Sequence, residues 1–149
     1  MRTWQQFGLM LHKLPIALDT QLQRDAGLSY VEYYVLAGLS DQADRRMRMS
    51  DLAVLSNTEL SRLSHMISRL ERRGFVRREP DPTNGRYTHA ILTDAGYEHL
   101  VEAAPGHVAR VRDLIYDVLD PAELDCLRTA AEKIIERIDH RERQGSPGG

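Results

Sequence analysis

Along the first part of the chain the apolar positions fall three and four residues apart. Phe7, Leu11, Leu14, Leu18 and Leu22 keep that spacing, which lines one side of a helix turning about 100° per residue. Pro15 lies inside the run and lacks the N–H that would bond the Leu11 carbonyl, so a kink or a restarted helix is expected there. Gly27 followed by Leu28-Ser29 reads as a stop and a new N-cap for a helix over Tyr30 to Leu39. The polar "SDQADRRMRMS" reads as a loop, "SDLAVLS" at 50–56 as a short helix, and "SNTE" at Ser56 to Glu59 as a capping box opening another. In that next helix Leu60, Leu63, Ile67 and Leu70 share a face, while Ser61, Arg62, Ser64, His65, Ser68, Arg69 and Arg72 occupy the rest. Gly74 is its C-cap.

Beyond Gly74 the period changes from helical to alternating. "FVRRE" and "RYTHAIL" are β-compatible, and Asn84-Gly85 between them predicts a hairpin with a type I′ turn, so a two-stranded ribbon is expected. Thr93-Asp94 opens a long helical stretch, interrupted at Pro105-Gly106 and resumed to about Leu119. Asp120-Pro121-Ala122-Glu123 supplies an N-cap, a proline at the first helical position and an acid at the third. Leu124, Leu127, Ala131, Ile134 and Ile138 then repeat the three-four spacing of a helix–helix seam. "RQGSPGG", from residue 143, reads as a disordered tail.

A length of 149 residues favours one compact domain. The net charge of −2 shows no attraction to a polyanion, but its distribution does. Arg45 to Arg86 holds ten arginines against five acids, with acidic stretches on either side. That asymmetry is expected of a surface that meets phosphate. Cys126 is the only cysteine, which excludes an intrachain disulfide framework and a multi-cysteine zinc site; on a helix beside Leu124 and Leu127 it is expected to be a small buried hydrophobe rather than a redox sensor. No apolar run reaches the roughly 18 residues of a membrane span, and the N-terminus has no signal-peptide pattern, so a cytoplasmic, soluble protein is expected. No cofactor is expected. His99 and His107 lack the spacing of a metal pair, and the chain shows no nucleophile with an adjacent base, so an enzyme is not expected.

Two short helices, the second basic on its outer side, followed at once by a hairpin with a basic tip, make a winged helix-turn-helix in a mainly α protein. The second helix must bury one stripe and still project short polar and basic groups into a major groove, where arginine reads guanine and serine contacts several base edges. Ser61, Arg62, Ser64 and His65 fall in its first two turns, with Ser68, Arg69 and Arg72 nearer the backbone; Arg69 could instead tie the helix to the wing. Arg86 is placed for a minor groove or a phosphate, and Arg77 and Arg78 add charge at the wing's base.

These residues carry a resemblance. Leu70, Gly74, Phe75, Val76 and Arg78, then Pro82, Asn84 and Arg86, then Leu92, Thr93 and Gly96 are similar in order and spacing to the multiple-antibiotic-resistance regulator (MarR) family. The resemblance implies a homodimer with helical dimerisation segments at 4–28 and 106–142, a DNA-binding lobe with a linking helix at 30–105, and a wing at 75–92. It further implies a transcriptional regulator, a ligand-responsive repressor, bound to a pseudo-palindromic operator. The family's wing aspartate is Asn84 here, which exchanges an ion pair to Arg86 for a hydrogen bond. The family also implies a crevice for a small aromatic or anionic lipophilic ligand, for which His12, Tyr30, Tyr33 and Tyr34 are candidates, core packing being the other use of such rings. The rival function is a winged-helix module binding an acidic protein partner.

Overall fold

A computed structural model describes residues 1–145, with Ser146 to Gly149 outside the described residues. It contains two compact units, residues 1–110 and residues from 111 onward.

The first unit begins with α1 (Arg2–Ala26), continuous through Pro15. The expected restart does not occur: Pro15 and Leu11 both lie on exposed helix, where water can serve the carbonyl that proline leaves unbonded. Only Leu18 and Leu22 of the expected stripe are buried; Leu11 is 49% exposed. Next comes α2 (Tyr30–Ser40), opened by a complete capping box between Ser29 and Glu32 and fastened to α1 where the Tyr30 N–H donates to Asp19 Oδ1 at 2.9 Å. The expected loop after it contains a strand, β1 (Arg46–Arg48), leading directly into α3 (Met49–Leu55).

Helix α4 (Leu60–Arg72) starts at Glu59 without a side-chain cap. The "SNTE" box does not form, because the Ser56 hydroxyl donates back to the Leu52 carbonyl at 2.8 Å and Thr58 bonds the Ser56 carbonyl. Leu63, Ile67 and Leu70 are fully buried and Met66 nearly so, whereas Leu60 is 54% exposed. Each fully buried side chain contributes about 1.5–3 kcal/mol of burial, and these meet Leu28, Val35, Leu36, Leu39 and Leu52 in one core. The helix closes with a Schellman pattern: Phe75 N–H to Leu70 O at 3.0 Å and Gly74 N–H to Glu71 O at 2.8 Å, with Gly74 at φ +79°.

The ribbon is a three-stranded antiparallel sheet in the order β1-β3-β2, with β2 (Val76–Pro80) and β3 (Thr88–Leu92). The third strand escaped the sequence reading because three residues are too short to show alternation. No type I′ turn forms, since neither Asn84 nor Gly85 has a positive φ. A seven-residue loop, 81–87, joins the strands instead, drawn together by Asp81 N–H to Tyr87 O at 2.9 Å and Tyr87 N–H to Asn84 O at 3.0 Å. Helix α5 (Asp94–Val111) runs through Pro105 without the expected interruption; the carbonyl deprived of its bond is that of Val101, which is 51% exposed. Thr93 caps α5, accepting the Gly96 N–H at 3.0 Å. A Cβ on Gly96 would collide with the Phe75 carbonyl.

In the second unit a π-helical turn at Arg112–Tyr116 precedes α6 (Pro121–Gly145). The cap of α6 is as expected: Asp120 Oδ1 accepts the Glu123 N–H and Glu123 Oε2 accepts the Asp120 N–H, both at 2.9 Å. The helix continues past 142 to Gly145, since Arg143 and Gln144 are good helix formers; the remainder of the expected tail lies outside the described residues. Cys126 is exposed rather than buried.

Candidate nucleic-acid interface

Helical geometry sorts the surface of α4. Ser61, His65, Ser68 and Arg72 succeed one another by four, three and four residues on the side opposite Leu63, Ile67 and Leu70; Arg62 and Arg69 flank that row on one side and Ser64 on the other. Ser61, Arg62, His65 and Arg72 are exposed, and Ser64 and Ser68 are half-buried.

The ten arginines of the basic middle divide into two groups. Seven are engaged within the first unit. Arg45 pairs with Asp94 at 3.1 Å, Arg46 with Glu79 at 3.3 Å, Arg48 with Asp81 at 2.9 Å, Arg69 with Glu32 at 3.3 Å and Arg78 with Glu71 at 2.7 Å. Arg77 pairs with Glu79, and Arg73 donates to the Gly27 carbonyl at 2.7 Å. Arg62, Arg72 and Arg86 have no carboxylate partner among the described residues, and all three are exposed.

This division bears on several sequence alternatives. Arg69 ties α4 to α2 rather than to the wing, pairing with Glu32, whose side chain is only 9% exposed. Arg78 secures β2 to α4: besides Glu71 it donates to Ser68 Oγ at 2.9 Å and Ser64 Oγ at 3.3 Å, which commits two of the four serine and histidine candidates internally. Asn84 Oδ1 accepts the Arg86 backbone N–H at 3.2 Å, and the guanidinium has no partner among the described residues.

Between the first turn of α4 and the wing lies a cleft of about 530 Å³, lined by Arg48, Leu60, Ser64, Arg78, Arg86 and Tyr87 among others. Behind its lining residue Arg48 is an acid that sequence reasoning missed. Asp81 is buried, and the Thr83 hydroxyl and N–H, aided by Arg48 and the Asn84 N–H, hold its carboxyl far below the usual carboxylate range. The one available signal was Asp81-Pro82-Thr83, the composition of an Asx turn.

The aromatic candidates separate. Tyr33 and Tyr30 surround His107, with ring centroids 4.4 and 6.0 Å away, and Tyr34 lies 6.4 Å from Tyr30. His12 is exposed on α1 and is not among these ring contacts. Burial raises the Tyr33 pKa and lowers that of His107. Gln21, on α1, is 5% exposed. His99 is used elsewhere, its Nε2–H donating to the Ala26 carbonyl at 2.8 Å.

The family model for the MarR family matches residues 28–88, from two residues before α2 to the first residue of β3. Sco3205, a MarR family transcriptional regulator of Streptomyces coelicolor whose crystal structure holds DNA, is 42% identical, with a TM-score of 0.89 over 91% of this chain and 88% of that one. The chain belongs to the MarR family. AbsC, another MarR regulator of the same organism, is 38% identical with a TM-score of 0.88, covering 93% of both chains. The transcriptional repressor MprA of Escherichia coli K12 is 25% identical over 119 residues, which are 80% of this chain and 67% of that protein. This is thus a MarR-family transcriptional regulator with a winged-helix fold, a family of regulators rather than of enzymes. No described helix is long and apolar enough to cross a membrane.

Proposed function

We propose that this MarR regulator is a cytoplasmic repressor without catalytic activity that binds a pseudo-palindromic operator as a homodimer, with the row Ser61, His65 and Arg72 of α4 in the major groove and Arg86 in the adjacent minor groove. The observation that carries this reading is the sorting of the arginines. Six are paired with carboxylates and a seventh, Arg73, is bonded to a backbone carbonyl inside the fold, and the three left over lie on the outward surface of α4 and at the wing tip. Unpaired cations release counterions when they meet phosphate, whereas a cation already paired must first give up its partner. Arg62 and Arg72 flank or continue the groove-facing row, and a sugar–phosphate strand passing from one groove to the next would run along the cleft between α4 and the wing. On this reading Arg69, Arg77 and Arg78, with Ser64 and Ser68, support the interface rather than touch bases.

Two further features support the dimer and the ligand. On α6, Leu127, Ile134 and Ile138 are 37%, 44% and 49% exposed within the chain, a seam that a second copy would cover. The lobe at 30–105 then reads the DNA, and the segments at 4–28 and 106–142 join the copies. Tyr30, Tyr33 and His107 form a cluster of rings, with centroids 6.0 and 4.4 Å from His107, which is the contact proposed for a small aromatic or anionic molecule, with Tyr34 beside it and His12 outside it. Half-sites about one helical turn apart demand a fixed distance between the two α4 helices, so a ligand that favours another distance lowers affinity by its preference between the two states.

Gel shift on the promoter region beside its own gene tests the interface. Arg62→Ala and Arg86→Ala each weaken binding and lower the salt slope by about one. Binding unchanged in both variants would falsify the assignment.

A further inference from the structure

Since the Arg86 side chain has no partner among the described residues, its location depends on whatever holds the loop that carries it. In the sheet register His89 of β3 stands opposite Arg48 of β1 and Glu79 of β2, so these side chains share one side of the sheet. Asp81 follows β2 and folds back onto that side, with 3% of its side chain exposed. Its Oδ2 accepts from Arg48 Nε at 2.9 Å and lies 3.1 Å from His89 Nε2. Its Oδ1 accepts from Thr83 N–H at 2.7 Å, Thr83 Oγ1 at 2.6 Å and Asn84 N–H at 3.2 Å. One carboxylate thus joins β1, β3 and the first half of the wing loop.

The second half is held from the same point. The Arg48 guanidinium lies 4.5 Å over the Tyr87 ring, the residue next to Arg86. Behind it, Arg46 Nε donates to His89 Nδ1 at 3.1 Å, which leaves the ring proton on Nε2, aimed at Asp81.

We propose that Asp81, with Arg48 and His89, forms a positioning device that fixes Arg86 relative to α4, and that Arg48, although basic and in the cleft, is not itself a DNA contact. The proposal rests on the reading that Arg86 meets DNA. Its physical basis is that Asp81 is the one acceptor among these groups that bonds the edge strand β1, the central strand β3 and the loop at once. Replacing Oδ2 by an amide sets one donor against two others, Arg48 and His89, and the loop is released to other conformations. Apparent affinity then falls in proportion to the fraction of chains whose wing is in place.

The test is a double-mutant cycle read by fluorescence anisotropy on a duplex that the wild-type chain selects from a random-sequence library, across a salt series. Asp81→Asn weakens binding about tenfold, the loss expected if about a tenth of the wings remain in place, with the wild-type salt slope. Arg86→Ala weakens it and lowers the slope by about one. In the Arg86→Ala background Asp81→Asn has little further effect, because no guanidinium remains to be placed. Arg48→Ala repeats the cycle from a partly exposed position and decides the matter if Asp81→Asn does not fold. Losses that add fully, a slope lowered by one in Arg48→Ala, or wild-type affinity in both variants overturn the proposal. A wild-type chain that selects no duplex overturns instead the DNA-binding reading on which it rests.

Discussion

Helices α4 and α6 have the same three-four apolar spacing and opposite surroundings. In α4 the stripe Leu63, Ile67 and Leu70 is fully buried by the rest of its own unit, while in α6 Leu127, Ile134 and Ile138 keep more than a third of their surface open. Both helices are charged on their remaining sides. The lesson is that amphipathic spacing announces that a face needs cover and says nothing about who provides it. For α4 the cover is α2, α3 and the sheet, so its outward row is free for another task. For α6 the cover is incomplete among the described residues.

The widest consequence of that difference is expected at the open seam. Ile134→Glu with Ile138→Glu should convert the proposed dimer to a monomer in analytical ultracentrifugation and lower operator affinity by about 10²–10⁴-fold, because the second half-site loses its tether. A variant that stays dimeric would mean that α6 is not where the copies join. At the closed stripe, Ile67→Ala should cost about 2–5 kcal/mol in urea unfolding, the range for a fully enclosed aliphatic side chain cut to alanine. A loss below about 1 kcal/mol would show that α4 is less enclosed than its burial indicates. The smallest effect concerns the margin of the same unit at His107. Burial lowers its pKa from the ordinary 6.5, so the folded state binds fewer protons than the unfolded one as pH falls. The stability tied to this group is therefore complete above about pH 6.5 and is lost as pH drops through the depressed folded value. Thermal melts between pH 7.5 and 5 should show that loss in the wild type and a flatter profile in His107→Phe.

Much of this was legible beforehand, and the exceptions share a cause. The Ser29 and Asp120 caps and the Gly74 stop depend on residues within five positions of one another, and the two long strands on a turn-spaced pair of β-compatible runs, and they formed as expected. The "SNTE" box and the Asn84-Gly85 turn are equally local patterns, yet each lost to a competing local bond: Ser56 to the turn behind it, and the wing to the Asx turn of Asp81. Pro15 and Pro105 did not interrupt their helices because each lies on an exposed side, where a missing bond is cheaply replaced by water. Strand β1 was invisible because its definition is its pairing with β3, more than forty residues away.

Among the interface residues the division is sharper. Composition shows a basic middle, and helical spacing places Ser61, His65 and Arg72 on an outward row. Which arginines are available is another matter, since Arg69 and Arg72 are three residues apart on one helix and alike in every sequence property. Their difference arises from Glu32, thirty-seven positions away from Arg69 and brought beside it by the packing of α2 on α4.

The order of residues was therefore sufficient for the family, the helices and the sign of the surface, because period, caps and charge act over a few residues. Only the folded chain decided which cations are free among the described residues, that Asp81 gathers the wing, and that the stripe of α6 stays partly open. Those outcomes depend on distances between groups remote in sequence, and such distances exist only once the chain has packed.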